Sequence, residues 1–188
     1  MSEIAISSAT KTVLHVGCGS WRPNALHETF QKPEWQEIRL DISPKAEPDI
    51  VASMTDMGAV ETGSVDAVWS SHSLEHLSAH EVPIALSEFH RVLRPGGSTL
   101  LRVPDIEKVA ELILSIGLEG IAYQSPSGPI TPLDMLFGHG LSIRSGGSTM
   151  LHKTGFTAQS LENALSKAGF SDLIVERRKY DLWALGKA

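Results

Sequence analysis

Three short stretches hold residues whose types and spacing can do chemistry. The first is Thr12-Val-Leu-His-Val-Gly17-Cys18-Gly19-Ser20-Trp21, a short β-branched run that ends in two glycines one residue apart. Glycines there permit backbone angles closed to other residues and let a ligand approach the main chain. The third glycine of the dinucleotide fingerprint is absent, since Ser20-Trp21 stand in its place, so the stretch alone reads equally as a ligand loop or a tight turn. The second group is acidic. Asp41 ends the next apolar run about 20 residues on, where in a doubly wound sheet a carboxylate can take both hydroxyls of a ribose. Asp56-Met57 follow, able to offer a carboxylate to an exocyclic amine and an apolar side chain to a ring face. Each acid is also an ordinary turn residue. The third stretch is His72-Ser-Leu-Glu75-His76, an H-x-x-E-H pattern. On one helix its histidines would share a face and could hold zinc, with Glu75 activating water. The stretch leaves a strand directly and no distant third ligand announces itself, so Glu75 and His76 read as structural and no metal is expected.

The elements that must position these residues alternate. Strands are expected at 12–16, Trp35–Leu40, Asp49–Ala52, Val65–Ser70 and Ser98–Val103. A short helix is expected over Asn24–Gln31. Two prolines in Ile42–Pro48 argue against a crossover helix there. Val82, Leu86, Phe89 and Leu93 form one stripe of a helix from about residue 80, which Arg94-Pro-Gly-Gly97 stops. Thr157 caps a helix over 158–168, Phe156 and Leu161 stand at the staple positions, and Gly169 closes it. Strands at Asp172–Arg177 and Leu182–Leu185 follow so closely that they pair antiparallel. Between lies a long segment, 104–153. It contains an amphipathic helix carrying Ile106, Val109, Leu112, Ile113 and Ile116 behind Asp105, then a Pro/Gly/Ser-rich stretch, Leu133–Phe137 and Gly138-His-Gly140. A connection of that length reads as a lid or as a surface loop.

Composition excludes several classes. The 188 residues suit a single domain, 1–188. A formal charge of −6 gives no electrostatic footprint for nucleic acid. Cys18 is the one cysteine, so there is no internal disulfide, and a reducing compartment fits. No apolar run reaches the ~18 residues of a membrane span. The first residues lack a charged segment followed by an apolar core, so no signal peptide is expected. A soluble, cytoplasmic protein is the expectation.

Taken in order, "VLHVGCG", "IRLDIS", "TDM", "GSVDAVWSSHSLEHL", "EFHRVLRPGG" and "HKTGFTAQSLENALSKAGF" resemble a class I S-adenosylmethionine-dependent methyltransferase across roughly residues 12–103 and 152–185. The resemblance implies an α/β, Rossmann-like, doubly wound fold. Its sheet would be seven-stranded and mostly parallel with a terminal antiparallel strand, and 104–153 would be a helical lid inserted after strand five. It implies S-adenosylmethionine as cofactor. Gly17, Cys18 and Gly19 would hold the methionine part, Asp41 with Ile42 the ribose, and Asp56 with Met57 the adenine. Ser70, Ser71 and His72 would border the methyl group. His15 stands where the family has an acid, a departure at the methionine end.

His72 is the first candidate for a base, from its place beside the expected methyl. His152 is the second, since it precedes Gly155-Phe-Thr157 and closes the lid. Asp105 is a third, equally explained as a helix cap, and His139 lines the lid or is exposed. No Asn-Pro-Pro-Tyr motif is present, which favours a small-molecule or glycan acceptor. A dinucleotide-dependent oxidoreductase and a non-catalytic adenosylmethionine-binding protein are the alternatives. A zinc hydrolase built on H-x-x-E-H is disfavoured.

Overall fold

The computed structural model of the chain describes residues 10–22 and 25–188, with backbone alone over 145–148. A seven-stranded sheet forms its centre. The strands are β1 (Lys11–Val16), β2 (Trp35–Asp41), β3 (Ile50–Val51), β4 (Val65–Ser71), β5 (Leu93–Pro104), β8 (Ser171–Arg178) and β9 (Asp181–Lys187). Their order is β3-β2-β1-β4-β5-β9-β8, parallel from β3 to β5 and antiparallel at β9 and β8. The sheet expected from the sequence is the one observed. β9 lies between β5 and β8 because a two-residue turn at Lys179-Tyr180 can only return the chain antiparallel.

Period-2 alternation assigns the two faces. Leu14 and Val16 join the main core, with Leu86 and Phe89 of α1 (Val82–Val92) and Leu161 and Leu165 of α5 (Ala158–Lys167). Val13, Ala67 and Trp69 face the other way, under Phe30 and Leu26. That second face was expected to carry a helix over Asn24–Gln31. Asn24 lies outside the described residues, and the rest holds only a 3-10 turn, Glu28–Phe30, behind His27. Aromatic contacts cover the face instead, including stacked Trp69 and Trp183 and the edge-on pair Phe30 and Trp35.

The ends of α5 follow local rules. Thr157 and Ser160 form a reciprocal capping box, and the Phe170 amide returns to the Leu165 carbonyl past Gly169 at φ 100°. The start of α1 is looser. Glu81 Oε2 accepts the Ser78 amide at 2.7 Å, one half of a capping box. Its C-terminus differs from expectation, for β5 begins at Leu93 rather than Ser98. The Arg94–Gly97 turn is held within the sheet by Ala188, whose carbonyl takes the Gly96 amide.

Segment 104–153 is folded. After α2 (Ile106–Ile116) come a hairpin of β6 (Tyr123–Ser125) and β7 (Gly128–Ile130), then α3 (Pro132–Phe137) and α4 (Gly140–Gly146). The Pro/Gly/Ser-rich stretch is therefore a hairpin and not a structureless loop. Tyr123 stacks on Tyr180 at 5.3 Å, which fastens the hairpin to the turn between β8 and β9. Among the described residues no helix is long and apolar enough to cross a membrane.

Phe89 is fully buried, whereas Leu114 on α2 is 89% exposed. Phe89→Ala should therefore cost about 3–5 kcal/mol and Leu114→Ala no more than about 0.5 kcal/mol. Urea denaturation would measure both, and similar costs would contradict this packing.

Candidate active site

Topology decides where a ligand can sit. The chain runs outward from β1 to β2 and β3, then crosses to β4 on the other side of β1. Loops leaving β1 and β4 diverge, which opens a crevice at the carboxyl ends of the strands.

Gly17 and Gly19 follow β1 with φ 68° and 61°. The Gly17 and Cys18 amides both donate to the Leu40 carbonyl, at 2.9 and 3.2 Å. A Cβ on Gly17 would lie 2.2 Å from Ser73 Oγ, whereas one on Gly19 would meet nothing within 4 Å. Gly17 is thus required by packing, and Gly19 borders open space. Cys18 itself is buried, and burial pushes its thiol up to about 11, with the Arg39 charge opposing. Only its backbone faces chemistry. Arg39, which the sequence reading missed, donates to the carbonyls of Gly19 (2.6 Å), Ala46 (3.1 Å) and Glu47 (2.8 Å). One guanidinium fork thereby pins the loop after β1 to the loop after β2.

Asp41 fills its expected turn role and makes one further contact. Its Oδ1 accepts the Ser43 amide at 2.8 Å, the ordinary aspartate turn contact. Its Oδ2 accepts the Gly19 amide at 2.8 Å, a contact that no local turn requires. Each oxygen keeps a lone pair. Ile42 beside it is 61% exposed.

At the next loop, Asp56 is exposed and Met57 is fully buried in the main core. Met57 therefore has no free face to lay against a ring, contrary to expectation. Its side chain fills the space above α1, and its backbone is held from there. Glu88 Oε2 accepts the Met57 amide at 2.8 Å, and Arg91 donates to its carbonyl at 3.0 Å. The Arg91 pair holds Glu88 below the usual carboxylate range. Met54 is the methionine beside the glycine loop, 3.8 Å from the Cβ position of Gly17.

At the end of β4, Ser70 is buried and its Oγ has no hydrogen-bond partner; Ser71 is half-buried. His72 is exposed at φ 51°, a left-handed conformation that costs about 1–3 kcal/mol in a non-glycine residue. Its Nδ1 lies 3.3 Å from Glu75 Oε1 and its Nε2 3.7 Å from Asp181 Oδ1. Ser73–His76 then make only a 3-10 turn, so His72 and His76 do not share a helical face. The zinc-protease geometry is absent.

His152, the second candidate base, comes to the same place from the far end of the insertion, which sequence spacing does not show. The Glu75 carbonyl accepts the Lys153 and Thr154 amides at 2.8 and 3.2 Å, and His76 Nδ1 lies 3.1 Å from the Leu151 carbonyl. This brings the rings of His76 and His152 to 5.1 Å. His152 Nδ1 lies 2.8 Å from the Met135 carbonyl, and burial lowers its pKa below the ordinary histidine value. Glu75 is buried, which alone would raise its pKa; the His72 hydrogen bond and the charges of His72 and His76 outweigh burial and lower it. Both expected catalytic histidines thus converge on one carboxylate. Asp105 lies elsewhere, as the cap of α2 with its Oδ2 3.3 Å from Arg177. His139 bonds Ser142 at 3.0 Å.

His15 is buried and pairs with Glu37 at 2.7 Å. Beside it a cavity of about 180 Å³ opens next to the glycine loop, lined in part by Cys18, Trp21, Arg22, Glu37 and Arg39.

A glycine loop after β1, an acid after β2 and an acidic loop after β3 on such a sheet suit a nucleoside cofactor. Known proteins of similar sequence and fold are methyltransferases. A family profile described as "Methyltransferase domain" matches residues 14–101. A ubiquinone biosynthesis O-methyltransferase of Xanthomonas oryzae pv. oryzae is 29% identical over 130 residues, 62% of this chain and 52% of that protein. The chain thus spans about half the length of the curated relatives it matches. A SAM-dependent methyltransferase of Archaeoglobus fulgidus has TM-score 0.62 at 13% identity, over 95% of this chain and 86% of that one. One from Mesorhizobium loti has TM-score 0.58 at 15% identity, over 96% and 93%. The chain is thus similar to class I S-adenosylmethionine-dependent methyltransferases over residues 14–101, and it shares their fold.

Cys18 offers a check on the loop. With its thiol near 11 against an ordinary 9.0, the thiolate fraction at pH 8 falls about 100-fold. Iodoacetamide should label it about that much more slowly in the folded chain than in urea. Equal rates would mean that the loop does not bury it.

Proposed function

We propose that this enzyme transfers a methyl group to a small-molecule or glycan acceptor, in a site covered by residues 104–153 of a single domain. The observation that carries the proposal is the meeting of His72, Glu75 and His152 next to the cofactor loop. Ser73 joins the two regions, its Oγ 3.4 Å from the Gly17 carbonyl.

The residues fit the cosubstrate. Gly19 borders open space, Asp41 keeps lone pairs for two hydroxyls, and the buried Ser70 Oγ lacks a partner. We assign the adenosine to Asp41, Ile42 and Asp56, with Met54 in the place first given to Met57. Gly17, Cys18 and Gly19 then line the methionine part. The cavity beside His15 suits its charged end, since Arg22 and Glu37 offer both signs. Ser70 and Ser71 border the reacting centre.

The methyl arrives activated on a sulfonium, so the chain's task is to orient and to exclude water. His72 is assigned the proton of an acceptor O–H or N–H. Glu75 and Asp181 flank the ring and fix its direction. The imidazole is exposed, so an acceptor can reach it. The net charge of −6 favours a small acceptor over nucleic acid. The Xanthomonas relative, named for O-methylation in ubiquinone biosynthesis, supports an oxygen acceptor on a small molecule. A cytoplasmic location fits the single buried thiol.

Asp41→Ala should weaken S-adenosylmethionine at least tenfold by calorimetry, since charge-assisted hydrogen bonds are worth about 1.5–3 kcal/mol each. His72→Ala should lower turnover while leaving that dissociation constant unchanged. Binding of NAD in preference to S-adenosylmethionine, or an Asp41→Ala variant with wild-type affinity and an intact melting curve, would contradict the proposal.

A further inference from the structure

We propose that Glu75, His76 and His152 form a binding site for a divalent metal ion at the acceptor end of the crevice. One ligand atom from each residue lies within 4.8 Å of the other two. A tetrahedral set with bonds of ~2.0 Å needs its ligand atoms about 3.3 Å apart, so small side-chain rotations close the site.

Three observations point to a metal and not merely to packed histidines. The first is the tautomer. His76 Nδ1 faces the Leu151 carbonyl and His152 Nδ1 the Met135 carbonyl. A carbonyl only accepts, so both rings carry their proton on Nδ1 and keep the Nε2 lone pair. Metal-binding histidines are held in this way. The second is the carboxylate. Glu75 is 1% exposed, its Oε1 is held by His72, and its Oε2 has no hydrogen-bond partner. A buried carboxylate oxygen with nothing to accept from is costly, and a cation is the partner such an atom lacks. The third is that the ligands come from two segments already stitched together. His76 and Glu75 lie on the turn after β4, and His152 lies on the returning end of the long insertion, where Lys153 and Thr154 bond the Glu75 carbonyl.

Two imidazoles and one carboxylate select a borderline ion such as Zn²⁺ over Mg²⁺ or Ca²⁺, which take oxygen ligands. Three protein ligands leave a position open. On the methyl-transfer reading, that position takes an oxygen of the acceptor and places it near His72. The site's existence does not depend on that reading, only its purpose.

The full chain, stripped with chelator and dialysed, would be titrated with Zn²⁺ by calorimetry and with Co²⁺ by visible absorption. One equivalent of each is expected, with a Co²⁺ band of four- or five-coordinate character. His152→Ala and His76→Ala should each lose more than the ~100-fold that removal of an outer hydrogen-bond partner costs. Exposed His80→Ala should retain full affinity. S-Adenosylmethionine titrations and melting curves on the same proteins separate the two readings: metal without cosubstrate binding sinks the methyl-transfer reading alone, and cosubstrate without metal binding sinks this one alone. Absence of a stoichiometric Zn²⁺ or Co²⁺ complex in the unmutated chain overturns the site whether or not the variants fold. So does undiminished affinity in folded His152→Ala and His76→Ala.

Discussion

A carboxylate buried where β4 ends sets conditions for everything around it. Removing the charge of Glu75 from water costs several kcal/mol, and only close donors or cations repay that. His72 supplies one contact from the strand side. The backbone of the same residue takes two amides from Lys153 and Thr154. The turn Leu74–His76 therefore cannot form alone. It needs the returning end of the insertion, and that end needs the turn. Such mutual dependence explains why the site joins His76 to His152, 76 residues on, and why His72 tolerates a left-handed backbone.

The cofactor side rests on a different device. The residues proposed for it are backbone groups and single acids at the ends of β1, β2 and β3, which a parallel sheet brings together by construction. What remains is to fix three loops relative to one another. Arg39 does so between the first and second, binding carbonyls on both. The Glu88–Arg91 pair on α1 does so for the third, gripping the backbone of Met57 and Val60. Planar guanidinium groups suit this work because they carry several donors in a fixed fork. Neither residue needs to touch a ligand.

This contrast accounts for what could be read in the sequence. The strands, the Thr157–Gly169 helix and the positions of Gly17, Gly19 and Asp41 follow local rules of periodicity, capping and turn chemistry, and they stand where those rules put them. The failures share a cause. Asn24–Gln31 has the composition of a short helix, but aromatic packing on Trp69 and Trp183 replaces helical packing there. Met57 looks like a ring-binding residue only until α1 is laid beneath it. His152 stood out as a candidate base, but its approach to Glu75 and His76 was not legible, because it is set by hydrogen bonds between loops, which leave no periodic trace.

The same reasoning bears on how the two halves of the crevice differ in freedom. A substitution at Gly17 meets Ser73 at once, and one at Asp41 releases both Gly19 and Ser43. The cosubstrate half is therefore over-determined, with each contact also holding the fold. The long insertion is anchored by the Tyr123–Tyr180 stack, the bridge of Asp105 to Phe156, the Arg177 pairs with Asp105 and Glu107, buried Val109 and the hydrogen bonds at Glu75. Elsewhere it leaves Leu114, Ile121, Phe137 and Leu141 exposed. Its shape can change without disturbing the core, provided those anchors stay. On the proposed reading, the choice of acceptor then falls to those exposed residues, whose substitution costs the fold little.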